Sequence, residues 1–114
     1  MAKSQLPNAL DRRHLVEREI APAQALRIAE AYLEEGRTIE ALDFLRMAGA
    51  AERLAELRRE AIAAGDVFLF RSVAGSIGEP PTREEWSALA DAAAASGRRH
   101  YAEQARRQAQ RGKE

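Results

Sequence analysis

The sequence predicts an all-α fold, a short solenoid of antiparallel helix hairpins with about seven helices. Two observations carry that expectation. Apolar residues recur at i, i+3, i+4 and i+7 along most of the chain, the period of helices that bury one face. Gly36, Gly65 and Gly97 stand 29 and 32 residues apart, each between two striped segments. A period of about 20–50 residues made of helix–turn–helix units marks a helical repeat array. A plain bundle whose glycines merely end helices is the alternative.

Taken in order, residues 1–7 are expected to be a disordered lead ending at Pro7. An N-terminal helix is assigned to residues 8–21, with Asn8 as its cap, Asp11 three residues on, and Leu10, His14 or Val16, and Ile20 loosely aligned. Pro22 suits the first turn of the next helix, where its missing N–H costs nothing. From there three hairpins follow, at 22–49, 50–78 and 82–112.

The first hairpin carries the clearest pattern. Ala25, Ile28, Ala29, Tyr32 and Leu33 make one stripe before Gly36, and Ala41, Leu42, Leu45 and Ala48 make another after it. Small residues at Ala29 and Ala41 let the two backbones approach. In the second hairpin, Leu54, Leu57, Ala61 and Ala64 form the stripe that Gly65 ends. Asp66 caps the next helix, where Val67, Phe70, Ala74 and Ile77 align and Phe68 and Leu69 add apolar surface outside the stripe. Such a helix is expected to be covered on more than one side.

Gly78-Glu79-Pro80-Pro81 is the only clear loop. Thr82 and Glu85 then form a capping box ahead of Trp86, Leu89, Ala90, Ala93 and Ala94. The run Ala92–Ala95 has so little bulk that another helix can lie against it. The last helix keeps a thin apolar edge, Tyr101, Ala102, Ala105 and Ala109, as the capping helix of a stack should.

These residues resemble the tetratricopeptide repeat family. Ala25, Ile28, Ala29, Tyr32, Gly36, Ala41, Leu45 and Ala48 follow that family's spacing, and Trp86, Leu89, Ala90, Gly97, Ala102 and Ala109 follow it again. In the middle unit Arg58 stands where the family has a small residue, and Phe70 where it has alanine. The resemblance covers roughly residues 22–110 and implies a right-handed TPR-like solenoid that binds a protein or peptide in the groove lined by the first helix of each hairpin. Carried over by offset from the glycines, that groove would be lined by Leu26, Arg27, Glu30, Leu33 and Glu34, then by Ala55, Glu56, Arg59 and Ile62, then by Ser87, Asp91 and Ala94. Leu26, Leu33 and Ile62 would supply apolar contact, and Arg27, Glu30, Glu34, Arg59 and Asp91 would set specificity. The lysines and asparagines with which some members grip a C-terminal carboxylate stand at none of these offsets.

The totals narrow the remaining classes. The chain has 114 residues and zero formal net charge, so no global field draws it to nucleic acid or acidic lipid. Charge is uneven, with five acids against three bases in 21–50 and six bases against two acids in 98–114. Arg98, Arg99, Arg106, Arg107, Arg111 and Lys113 form the only basic cluster. Without aromatic interleaving or a groove-reading motif, nucleic-acid binding is disfavoured. Cysteine is absent, which removes disulfides and thiol chemistry.

No catalytic constellation, metal or cofactor is expected. His14 and His100 lie far apart, the serines lack a nucleophile elbow, and Gly75-Ser76-Ile77-Gly78 is too short for a phosphate cradle. Glu34-Glu35 and Glu84-Glu85 are adjacent, so their carboxylates diverge on a helix. The first twenty residues carry no long apolar run, so neither a membrane span nor a secretory signal is expected. The expected compartment is the cytoplasm, and sixteen arginines against two lysines suggest a bacterial source. The expected function is a non-catalytic scaffold for another protein or peptide. The alternative is self-association as a homodimer, through the alanine-rich helix or through Phe68 and Leu69.

Overall fold

Chain-local signals decide where the helices start and stop in the computed structural model, which describes residues 6–17 and 20–111. Among the described residues there are seven helices: α1 (Ala9–Glu17), α2 (Pro22–Glu34), α3 (Thr38–Met47), α4 (Ala51–Ala64), α5 (Val67–Ile77), α6 (Arg83–Ala95) and α7 (Arg99–Arg111). The fold is all-α, with helices packed in adjacent pairs such as α2 with α3 and α6 with α7. The chain divides into two compact units, Met1–Leu54 and Ala55–Glu114. Most of the expected lead (residues 1–5) and the end of the last hairpin at residue 112 lie outside the described residues.

In the first unit, Asn8 caps α1 by accepting a hydrogen bond from the Asp11 N–H at 2.8 Å. The helix is shorter than the expected 8–21, and Ile20 lies outside it. Of its expected apolar alignment, Leu10 is 61% exposed and His14 is exposed, while the alternative Val16 and Ile20 are half-buried. An arginine attaches α1. The Arg12 guanidinium lies 5.9 Å from the Tyr32 ring centre and 5.5 Å from that of Phe44. It donates to the Glu40 carbonyl at 3.0 Å and to Asp43 Oδ2 at 3.1 Å. A long apolar stem with a charged head can cover aromatic surface and still reach a carboxylate.

The α2–α3 pair buries Ala25, Ala29 and Tyr32 against Ala41, Leu42, Phe44 and Leu45. Tyr32 and Phe44 stack at 5.8 Å. Phe44 is fully buried although the expected stripe omitted it, while Ile28, Leu33 and Ala48 are only half-buried. Pro22 opens α2 as expected. At the turn, Gly36 (φ +73°) lets the Arg37 N–H reach the Tyr32 carbonyl at 2.9 Å and its own N–H reach Leu33 at 3.0 Å. This pair of bonds satisfies carbonyls that a helix end leaves open.

The second unit is built on Ala61, Val67, Phe70, Trp86, Leu89, Ala90 and Ala105, with Ile62, Leu69, Tyr101 and Ala109 packed against them. Phe70 meets Trp86 edge-to-face at 5.1 Å, a favoured aromatic geometry. Asp66 caps α5 by accepting from the Leu69 N–H at 3.0 Å. Thr82 and Glu85 close the expected capping box at α6.

Gly65 has two duties. Its φ is +68°, and a Cβ there would lie 2.5 Å from Ala93 N and 2.6 Å from Ala93 Cα. The low bulk of Ala92–Ala95 is thus used by the α4–α5 turn, while Ala94 and Ala95 stay exposed. Two expectations are corrected in this unit. Ala64, the last residue of α4, is exposed. Of the two apolar residues outside the stripe, Phe68 is 60% exposed while Leu69 packs against the core, and Val73 supplies the buried position that the stripe lacked.

Candidate functional site

On α2 the fold separates two faces. Ala25, Ala29 and Tyr32 point inward. Leu26, Arg27, Glu30 and Glu34 are exposed, with Leu33 half-buried beside them, so these five share the outward side of one helix. Ion pairs elsewhere in this unit join Arg12 with Asp43, Arg46 with Asp43, and Arg37 with Glu35 and Glu40. The hydrogen bond between Arg37 and Glu40 raises the arginine pKa and lowers that of the carboxyl. Among the described residues Arg27, Glu30 and Glu34 enter no ion pair.

The other proposed groove residues lie in the second unit. Arg59 is exposed on α4. Ile62, one turn on, packs against the core, so only part of its surface is available to a partner. Asp91 lies at a small cleft of about 290 Å³ with Ser87, and with Arg106, Ala109 and Gln110 of α7. It therefore faces the neighbouring helix. Ala55 is half-buried, while Glu56, Ser87 and Ala94 are exposed.

A larger cleft, of about 570 Å³, was not foreseen from the sequence. It is bounded by α5, the Gly78–Pro81 segment, Trp86 and α7, with Arg71, Gly75, Pro80, Pro81 and Gln108 on its walls. Arg71 lays its guanidinium 5.3 Å from the Trp86 ring centre, a cation–π contact. Among the described residues it forms no ion pair.

The proline wall is held from behind by Arg58, the residue that breaks the repeat pattern. Its Nε and Nη2 donate to the two Glu85 oxygens at 2.7 Å each. Nη1 donates to the Glu79 carbonyl at 3.1 Å and Nη2 to the Pro80 carbonyl at 3.3 Å. The guanidinium also sits 5.3 Å from the Phe70 ring centre. Glu85 keeps its capping role, accepting from the Thr82 N–H at 2.9 Å. The hydrogen bond to Glu85 raises the Arg58 pKa, and the same bond holds the Glu85 carboxyl below its ordinary value. The side chain is therefore large because it ties α4, the loop and the start of α6 together.

Gly75 also lines the cleft. Of the described glycines it alone lacks a positive φ, and nothing lies within 4 Å of where its Cβ would be. A glycine inside a helix costs about 0.5–1 kcal/mol relative to alanine, and nothing within the chain requires one here. The sequence signals for this cleft were the misfit Arg58, the paired prolines and the interior glycine. None of them says that the three meet.

Among the described residues no group of three or more His, Cys, Asp or Glu could hold a metal ion, and no helix is long and apolar enough to cross a membrane. His14 and His100 are both exposed, as are Arg98, Arg99, Arg106, Arg107 and Arg111. No protein-family model, no curated protein and no solved structure matches this chain, so its functional reading rests on its own geometry.

Proposed function

We propose that this chain is a non-catalytic protein-interaction module. In this reading its helix pairs stack as a short right-handed TPR-like solenoid, and the outward faces of α2 and α4 receive a protein or peptide segment. The observation that carries it is the outward face of α2. There Leu26 is exposed beside Arg27, Glu30 and Glu34, three charges that enter no ion pair among the described residues. Exposed apolar surface ringed by unengaged charge is what a recognition surface presents. Charge reversal at Glu30 and at Arg59 tests the reading. Affinity capture with Glu30→Lys and Arg59→Glu should lose proteins that the natural chain retains, while the melting temperature stays unchanged. Unaltered capture by both variants would remove these residues from the binding surface.

A second reading, self-association, is favoured by the exposure of Phe68 at the surface of α5. It requires a molar mass that rises with concentration in light scattering. A monomer mass at every concentration eliminates it.

A further inference from the structure

We propose that the Trp86 cleft of the second unit is the docking site for an acidic peptide segment, which seats one apolar side chain between α5 and the proline wall and places a carboxylate on Arg71. The proposal deepens the interaction-module reading and rests on it. Three observations carry it.

The cleft has a preformed apolar floor and wall, because Arg58 holds Pro80 and the Glu79 carbonyl in place through two hydrogen bonds. A rigid wall lowers the ordering cost of binding. Gly75 is the second observation. It lines the cleft with an ordinary helical backbone and open space around it. The fold does not need it, whereas a partner approaching the helix backbone does. Phe68, two turns earlier on the same side of α5, is 60% exposed.

Charge complementarity names the occupant. The charged side chains on the cleft walls are Arg71 and Glu79. Glu79 acts electrostatically on Arg58, so its charge is already partly answered. Arg71 is pre-oriented by Trp86 and presents a planar fork suited to a carboxylate. A nucleic acid fits less well. Binding of single strands relies on exposed aromatic faces, and Trp86 is 7% exposed, with Arg71 over its ring and Phe70 against it.

The test uses the full chain and short labelled peptides that pair one leucine, methionine or phenylalanine with aspartates or glutamates. Matched peptides carry lysine or glutamine in place of the acids, and a single-stranded oligonucleotide forms a third arm. Binding is read by anisotropy and by the fluorescence of Trp86, the only tryptophan. Acidic peptides should bind at least about tenfold more tightly than their lysine counterparts. Arg71→Gln should weaken that binding by about tenfold, and Gly75→Leu should abolish it with no loss of melting temperature, since leucine favours helix.

Equal binding of acidic and basic peptides would overturn the proposal, as would full binding by Gly75→Leu. A Trp86 response to the oligonucleotide without one to peptide would overturn it too. If acidic peptides bind but lose affinity through Glu30→Lys and not through Gly75→Leu, the cleft assignment falls and the module reading stands. If no peptide binds and affinity capture retains no protein, both fall.

Discussion

Arg58 and Glu85 join α4 to the start of α6 through two hydrogen bonds. Arg58→Met keeps an unbranched stem near Phe70 but removes both bonds to Glu85 and the bonds to the Glu79 and Pro80 carbonyls. Breaking a buried pair from one side costs about 3–5 kcal/mol. Glu85 retains its Thr82 bond and its side chain is 23% exposed, so water recovers part of the penalty. We expect a loss near the lower end, about 3 kcal/mol. In a unit of this size that corresponds to a fall in melting temperature of about 10–20 °C. Urea unfolding followed by Trp86 fluorescence reads the same core directly. A cycle of Arg58→Met, Glu85→Gln and the double variant should give a coupling energy of about 2 kcal/mol. Arg58→Lys serves as the milder perturbation if Arg58→Met is too unstable to measure. A coupling below about 0.5 kcal/mol, the range of exposed pairs, would refute the view that this pair ties α4 to the start of α6.

Six further outcomes follow from the local surroundings of named residues. Because the folded Glu85 carboxyl titrates below its ordinary value, its contribution is complete above that ordinary value. It is lost as pH falls through the lowered one, so acid should destabilise the natural chain more than Glu85→Gln in urea titrations across pH. Gly65→Ala would place a methyl group into the Ala92–Ala93 backbone at a positive φ and should cost more than about 3 kcal/mol. Gly36→Ala meets no neighbour and should cost about 1–2 kcal/mol by thermal melting, the left-handed penalty alone. Gly75→Ala should stabilise by about 0.5–1 kcal/mol, and a loss of stability would mean the helix needs that glycine. Phe44→Ala should cost about 3–5 kcal/mol and Phe68→Ala less than about 0.5 kcal/mol, as read by circular dichroism during denaturation.

Helix positions were legible in the sequence because their causes act within a few residues. Asn8, Asp66 and the Thr82–Glu85 box each bond a backbone group three residues away, and Gly36 and Gly65 close helices through bonds to carbonyls three to five residues back. The buried faces of α2, α6 and α7 followed from the same period. The candidate residues on α2 came from the tetratricopeptide resemblance, by offset from Gly36; Leu26, Arg27, Glu30 and Glu34 are exposed, and Leu33, which the period also put in the stripe, is half-buried.

Tertiary structure alone decided the rest. Phe44 lies outside the expected stripe, yet it is buried because Tyr32 and Arg12 meet it from other helices. Phe68 looked like a core residue and faces solvent, since Val67, Phe70, Val73 and Ala74 already fill the buried side of α5. Arg12 finds Asp43 across 31 residues and Arg58 finds Glu85 across 27. Nothing in either local segment specifies that meeting. Periodicity and capping are interactions of a residue with its own turn of helix, and the sequence alone determines them. An ion pair, an aromatic stack or a cleft is an interaction between turns that only packing brings together, and it exists only once the helices have chosen their neighbours.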